Sequence, residues 1–157
     1  MSFTFATAVP EQLDVVDGLM RSAFTPYMHA LGRELAPDQY NWFPAAMAAG
    51  DIFVARDGTE IVGAIATKAG DAEGEMTLAL IAVSPTRQKQ GIASWMIGRV
   101  EEVAHRRGKH ALLLVTAEKM EDRVRLYSRH GFQITRRGPQ EQGKDPHVRV
   151  YMRKELR

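Results

Sequence analysis

Met76-Thr77-Leu78-Ala79-Leu80-Ile81-Ala82-Val83, then Ser84-Pro85, then Arg87-Gln88-Lys89-Gln90-Gly91, is the stretch around which the rest of the chain is organised. The first eight residues are an apolar run of strand length, Ser84-Pro85 stops it, and the polar segment ending in Gly91 turns the chain into a helix that begins near Ile92. A turn of this kind sets backbone N–H groups at the positive end of a helix, where an anion or water must satisfy them. Gly91 can adopt a left-handed conformation or approach a ligand closely, and Ala93 is nearly as small. Arg87 and Lys89 are expected to add mobile positive charge beside those donors. On these residues alone, a phosphate seat and an ordinary solvated connection fit equally well.

Working outward, Ile92, Trp95, Met96, Ile97, Val100, Val103 and Ala104 form an apolar stripe on a helix over 92–107, closed by Arg106-Arg107 and Gly108. The run 110–116 is nearly all apolar and predicts a strand covered on both faces. A right-handed crossover through the helix sets it parallel to 76–83. A further helix over 118–130 stops at Gly131. Strands over 132–136 and 147–153 follow, joined by a polar 138–146 connection that is long for a hairpin and predicts either a mobile segment or a substrate lid.

Upstream, 51–56 and 60–68 form a hairpin around Asp57-Gly58, and a Gly70 to Gly74 turn leads into the central strand. The chain opens with a strand over 3–9 and a helix started by Pro10-Glu11, with Leu13, Val16, Leu19, Met20 and Ala23 turned inward. Thr25-Pro26 is expected to break that helix. A second helix is predicted over 37–49, kinked or divided at Pro44. No repeat, linker or low-complexity tract interrupts the pattern, so the expectation is one mixed α/β domain (α+β in the order of its elements) over 1–157.

At 157 residues the chain suits a single core. It has no cysteine, which excludes a disulfide framework, a thiolate metal site and a cysteine nucleophile, and is compatible with a reducing cytoplasm. Met1-Ser2-Phe3-Thr4-Phe5 lacks the basic and apolar regions of a secretion signal, and no apolar run is of membrane-spanning length, so a soluble, cytoplasmic protein with no membrane partner is expected. The formal charge is only +2 with basic residues scattered, less concentrated than in most nucleic-acid binders, though a modest basic face would also attract a polyanionic cofactor; charge settles neither reading, and nucleic acid is not the expected partner. The histidines are not spaced as ligands, so no metal is expected.

Gln88-x-x-Gly91-x-Ala93, preceded by Leu80-x-x-Val83-x-Pro85 and followed by Leu126-Tyr127-x-x-x-Gly131-Phe132, resembles the signature of the GNAT superfamily of acetyl-CoA-dependent N-acetyltransferases. The resemblance covers essentially the whole chain. It implies a twisted mixed sheet of about seven strands with about four flanking helices, built around a splayed parallel pair. Acetyl-CoA would be the co-substrate. The main chain of Ile81, Ala82 and Val83 would meet its pantetheine arm, and N–H groups of Gln88, Lys89, Gln90, Gly91, Ile92, Ala93 and Ser94 its pyrophosphate. Tyr127 stands where the family carries the tyrosine that protonates the departing thiolate. Two positions depart from the pattern: Met120 replaces an asparagine, and Arg123, which either reaches a CoA phosphate or is a surface charge, replaces an alanine.

For the general base, Glu75 is the candidate by analogy, with Glu118, Asp71, His29, Tyr40 or a water chain left open. The acceptor is expected to be a primary amine of a small molecule, met by Tyr27, His29, Arg33 and Tyr40, with Trp42 nearby. A macromolecular acceptor, either a protein N-terminus or aminoacyl-tRNA, is the alternative, as is a non-catalytic acyl-CoA-binding module. Sheet edges and the 138–146 connection leave a homodimer open.

Overall fold

In chain order the elements are β1 (Phe3–Thr7), a single 3-10 turn (Pro10–Gln12), α1 (Leu13–Ala30), α2 (Phe43–Ala48), β2 (Ile52–Asp57), β3 (Glu60–Ala69), β4 (Glu75–Val83), a second 3-10 turn (Pro85–Arg87), α3 (Ile92–Arg106), β5 (Ala111–Ala117), α4 (Glu121–Arg129), β6 (Gln133–Pro139) and β7 (Val148–Glu155). The computed structural model describes residues 2–140 and 143–157; Glu141 and Gln142, inside the predicted 138–146 connection, lie outside the described residues. The strands form a seven-stranded mixed sheet in the order β1-β2-β3-β4-β5-β7-β6. Two compact units share this chain, one of residues 2–68 and 79–99 and the other of 69–78 and 100–157, with the borders falling at the last residue of β3 and inside β4 and α3.

In the first unit β1, β2 and β3 are antiparallel, and β2 and β3 close at Asp57↔Glu60 around Gly58 at φ +63°. Alternation along the strands sends Ile52, Val54, Ala64, Ala66 and Ala82 into one apolar cluster with Val16, Leu19 and Met20 of α1 and with Phe43 and Met47 of α2. Phe43 and Met20 are wholly buried, and truncating either to alanine costs about 2–5 kcal/mol. Phe5 stacks on Phe53 with ring centres 5.3 Å apart and meets Trp95 of α3 edge-on at 5.9 Å.

Two boundaries differ from expectation, both at proline. α1 runs through Pro26 instead of breaking there. Ser22 and Pro26 are both exposed, so the carbonyl that Pro26 cannot serve lies on the solvent side of the helix, and the helix ends one turn later at Gly32, φ +74°. The helix predicted over 37–49 is confined to Phe43–Ala48. Pro44 has no N–H to give a preceding turn and is suited to the first positions of a helix, so 37–42 forms successive tight turns instead, with Phe43 N–H bonded to the Tyr40 carbonyl at 3.0 Å.

In the second unit β4 and β5 are parallel in the register Glu75↔Ala111 to Thr77↔Leu113, while β5 pairs antiparallel with β7 and β7 with β6. Leu112, Leu114, Val150 and Met152 are buried, as are Val100, Val103 and Ala104 of α3 and Tyr127 of α4. β5 was expected to be covered on both faces. The middle of its odd-numbered face is open, with Leu113 half-buried and Val115 50% exposed, because it looks into a cleft.

Candidate active site

The centre of the first unit's site is the connection from β4 to α3. Ser84 N–H bonds the Val62 carbonyl at 2.9 Å, keeping the end of β4 on β3, and the 3-10 turn then lifts the chain away. Gln88 is extended, its side-chain amide donating to the Val83 carbonyl at 3.0 Å. Lys89 follows at φ +62° and Gly91 at φ +77°. For glycine this conformation is free, whereas for lysine it costs about 1–2 kcal/mol, so the surrounding contacts must hold Lys89 in it. Two left-handed residues within three positions turn the chain sharply into the N-terminus of α3. Trp95 N–H bonds the Gly91 carbonyl at 2.9 Å, which opens α3 and leaves Ile92 and Ala93 in its first turn, with no carbonyl of the helix behind them.

Arg87 does not supply the mobile charge expected of it. Its guanidinium is bound to Asp57 at 2.6 Å and Glu60 at 2.9 Å, and only 14% of the side chain is exposed. Lys89 is exposed.

The acceptor residues expected in the first unit differ in exposure and in partners. Tyr27 is half-buried and packs edge-on against Phe24 at 5.6 Å, and His29 is exposed and bonded to Glu34 at 2.9 Å. Arg33 is half-buried. Tyr40 belongs to the core instead of a pocket: it is 5% exposed and stacked on Phe43 at 4.7 Å. Burial pushes its phenol up to about 12, with Arg21 partly opposing. Trp42 packs on Phe43 and carries Lys68 over its ring at 4.1 Å.

In the second unit a cleft of about 870 Å³ opens over β4, β5, β6 and β7. Leu113 and Val115 line it, as do Glu75, Asp71, Arg136, Arg149, Tyr151 and Arg153. None of Tyr27, His29, Arg33 or Tyr40 lines it. The β7 side chains were legible as the alternating Arg149-x-Tyr151-x-Arg153, which puts all three on one strand face; read as scattered charge, they were missed. Arg136 lies over the Tyr151 ring at 3.7 Å, and Arg149 grips Asp145 with both terminal nitrogens, at 3.0 and 2.9 Å.

The turn before β4 fixes Glu75. Gly70 donates to the Glu75 carbonyl at 3.0 Å, Ala72 N–H reaches the Glu75 carboxylate at 3.1 Å, and Gly74 takes φ +83°. Arg153 donates to the same carboxylate at 2.5 Å. That hydrogen bond, and after it the one from Ala72, holds Glu75 below the usual carboxylate range. A carboxylate stabilised in this way is a weak proton acceptor.

Tyr127 sits one turn before the helix stop at Gly131, φ +90°, and its carbonyl accepts the N–H groups of His130 and Phe132 at 3.0 and 3.1 Å. Its ring is 6% exposed and meets Phe132 at 6.1 Å. At the start of α4, Met120 and Arg123 line a depression of about 350 Å³ together with Lys119, Glu121 and Asp122. Among the described residues no cluster of histidine and acidic side chains could hold a metal, and no helix is long and apolar enough to cross a membrane.

A mixed seven-stranded sheet whose central strand leads through a left-handed turn into a helix N-terminus defines the acyltransferase class that the sequence motifs resemble. The chain belongs to the Acetyltransferase (GNAT) family, whose sequence model matches residues 16–132. No curated protein sequence matches it. Among solved structures it is similar to Ard1 from Thermoplasma volcanium, with a TM-score of 0.78 at 14% identity over 100% of this chain and 99% of that one. It is also similar to the ribosomal-protein-S18-alanine N-acetyltransferase from Escherichia coli, at 0.75 and 16% over 99% and 94% of the two chains. A third is a GNAT family acetyltransferase from Elizabethkingia anophelis with acetyl-CoA bound, at 0.71 and 19% over 98% of each chain. At these identities the likeness is one of fold.

Proposed function

We propose that this chain is an acetyl-CoA-dependent N-acetyltransferase that moves the acetyl group to a primary amine of a small molecule by direct attack in a ternary complex. The observation that carries the reading is the pair of left-handed residues, Lys89 and Gly91, immediately ahead of α3. A lysine is held there at a conformational cost, and the turn leads straight into the N-terminus of α3, an arrangement suited to a diphosphate received by N–H groups from Gln88 to Ser94. Ile81, Ala82 and Val83 precede this loop on β4, whose parallel register with β5 stops at Thr77 while the strand runs on to Val83. That leaves main-chain groups for the pantetheine amides. The relative from Elizabethkingia anophelis, with acetyl-CoA bound, supports the choice of co-substrate.

In the reaction the amine lone pair forms a bond to the thioester carbon, charge develops on the carbonyl oxygen, the C–S bond breaks and the electron pair leaves on sulfur. A backbone N–H near Val83 would meet the oxygen. Tyr127 would hydrogen-bond to the sulfur and donate its proton as charge grows there, since phenols with an ordinary value near 10 keep their proton at neutral pH. Arg123 would approach a phosphate of CoA. Glu75, with its lowered proton affinity, is better suited to holding an ammonium group than to deprotonating it. It would orient the acceptor in the cleft, and the proton would leave through water.

The test is release of CoA thiol from acetyl-CoA with a panel of small amines and, in parallel, peptides with free N-termini. Transfer to small amines is the expected result. Transfer only to peptides would replace the small-molecule acceptor with a protein N-terminus, and CoA binding without transfer to any acceptor would leave a binding module.

A further inference from the structure

Arg87 belongs to none of the roles described above, yet all three nitrogens of its guanidinium are hydrogen-bonded. It closes the 3-10 turn directly before Gln88. Its Nε donates to the Gln90 side chain at 3.2 Å, one terminal nitrogen to Glu60 at 2.9 Å and the other to Asp57 at 2.6 Å. Asp57 ends β2, Glu60 begins β3, and the two face each other in register across the hairpin. A single planar fork therefore joins both ends of that hairpin to the loop that carries Lys89 and Gly91.

We infer that Arg87, with Asp57 and Glu60, is the positioning clamp that holds the Gln88–Ser94 loop in its diphosphate-binding conformation, an inference that rests on the proposed role of that loop. Two physical arguments favour a clamp over a direct phosphate contact. The guanidinium is drawn into the hairpin by two carboxylates and is largely withdrawn from solvent, so a ligand would have to compete with both acids for it. And the left-handed Lys89, two residues on, is unfavourable in isolation, so contacts that fix the loop around it offset that cost. Preorganising the loop saves ordering cost on binding, and like charges facing each other across a strand pair would repel without the cation between them.

The two roles predict opposite signs. If Arg87 clamps the loop, Asp57→Asn/Glu60→Gln weakens CoA binding, although neither residue touches the ligand. If Arg87 binds phosphate directly, the same change frees the cation, removes two repelling acids and tightens binding. The experiment is calorimetric titration of CoA into the full chain at about 0.15 M salt, where distant charges are screened. The parent is compared with Arg87→Ala, Arg87→Lys and Asp57→Asn/Glu60→Gln, each checked for folding by thermal melting. The clamp predicts that all three variants lose about tenfold in affinity, lysine included because it lacks the fork. Equal or tighter binding by the Asp57→Asn/Glu60→Gln variant, or full recovery with lysine, overturns it. A parent that binds CoA while the variants match it removes the clamp alone; a parent that binds no CoA removes the reading of the loop as well.

Discussion

Arg153 of β7 donates to the carboxylate of Glu75 on β4 at 2.5 Å, although the two residues lie 78 positions apart in the chain. Arg153 is also bound to Glu155 at 2.5 Å, so one guanidinium serves two acids, of which Glu75 lines the cleft.

The pair has a definite pH signature. Glu75 has a lowered value in the folded chain, so its contribution to stability is complete above the ordinary value of 4.5 and is lost as pH falls through the lowered one. Urea denaturation of the parent and Arg153→Met should therefore differ most at neutral pH and converge in acid. A difference that grows on acidification would contradict the pairing.

Glu75→Gln separates binding from proton transfer. Holding an ammonium group predicts a higher KM for the amine with a smaller change in kcat, and a pH–rate profile that keeps its shape. Loss confined to kcat, with the basic limb of the profile moved, would restore Glu75 as the base.

For Tyr127→Phe the expected outcome is a fall of about 10²–10⁴-fold in kcat, the usual worth of a general acid. The ring and its contact with Phe132 persist in the variant, so a thermal melt should change little. Acetyl transfer at the parent rate would take the phenol out of the chemistry.

Tyr40 gives an alkaline prediction. Its value is raised in the folded chain from 10.0 to about 12 by burial, so the stability it contributes is full below pH 10 and declines as pH rises toward 12. By linkage, Tyr40→Phe should remove about 2–3 kcal/mol of that decline, read from denaturation curves at neutral and alkaline pH. Parallel curves for the two proteins would show that the phenol is not buried in solution.

The strand, left-handed turn and helix at the middle of the chain were legible because each leaves a local mark: an apolar run, a proline stop, a glycine, then a change of period from two to three or four. Pro26 misled because proline acts through the environment of the carbonyl it cannot serve, and exposure is a tertiary property; Pro44, expected to kink or divide a helix over 37–49, instead stands at the start of a short one. Arg87 resembled free charge because its partners, Asp57 and Glu60, arrive from a distant hairpin. Tyr40 and Trp42 looked like pocket residues since loops carry function, but aromatic rings in a loop equally cover a core. The cleft was hidden for a different reason. β5 is apolar at consecutive positions, and only its pairing with β7 decides that Leu113 and Val115 share an open face with Tyr151 and Arg153.

Backbone N–H groups between Gln88 and Ser94 are the proposed seat of a diphosphate, and amide NMR reads those groups directly. Titrating CoA into the ¹⁵N-labelled chain should give the largest shifts at Lys89, Gly91, Ile92 and Ala93, with Gly91→Ala, strained at φ +77° without any clash, weakening the titration. Saturable shifts that bypass this loop, or none at all, would contradict it.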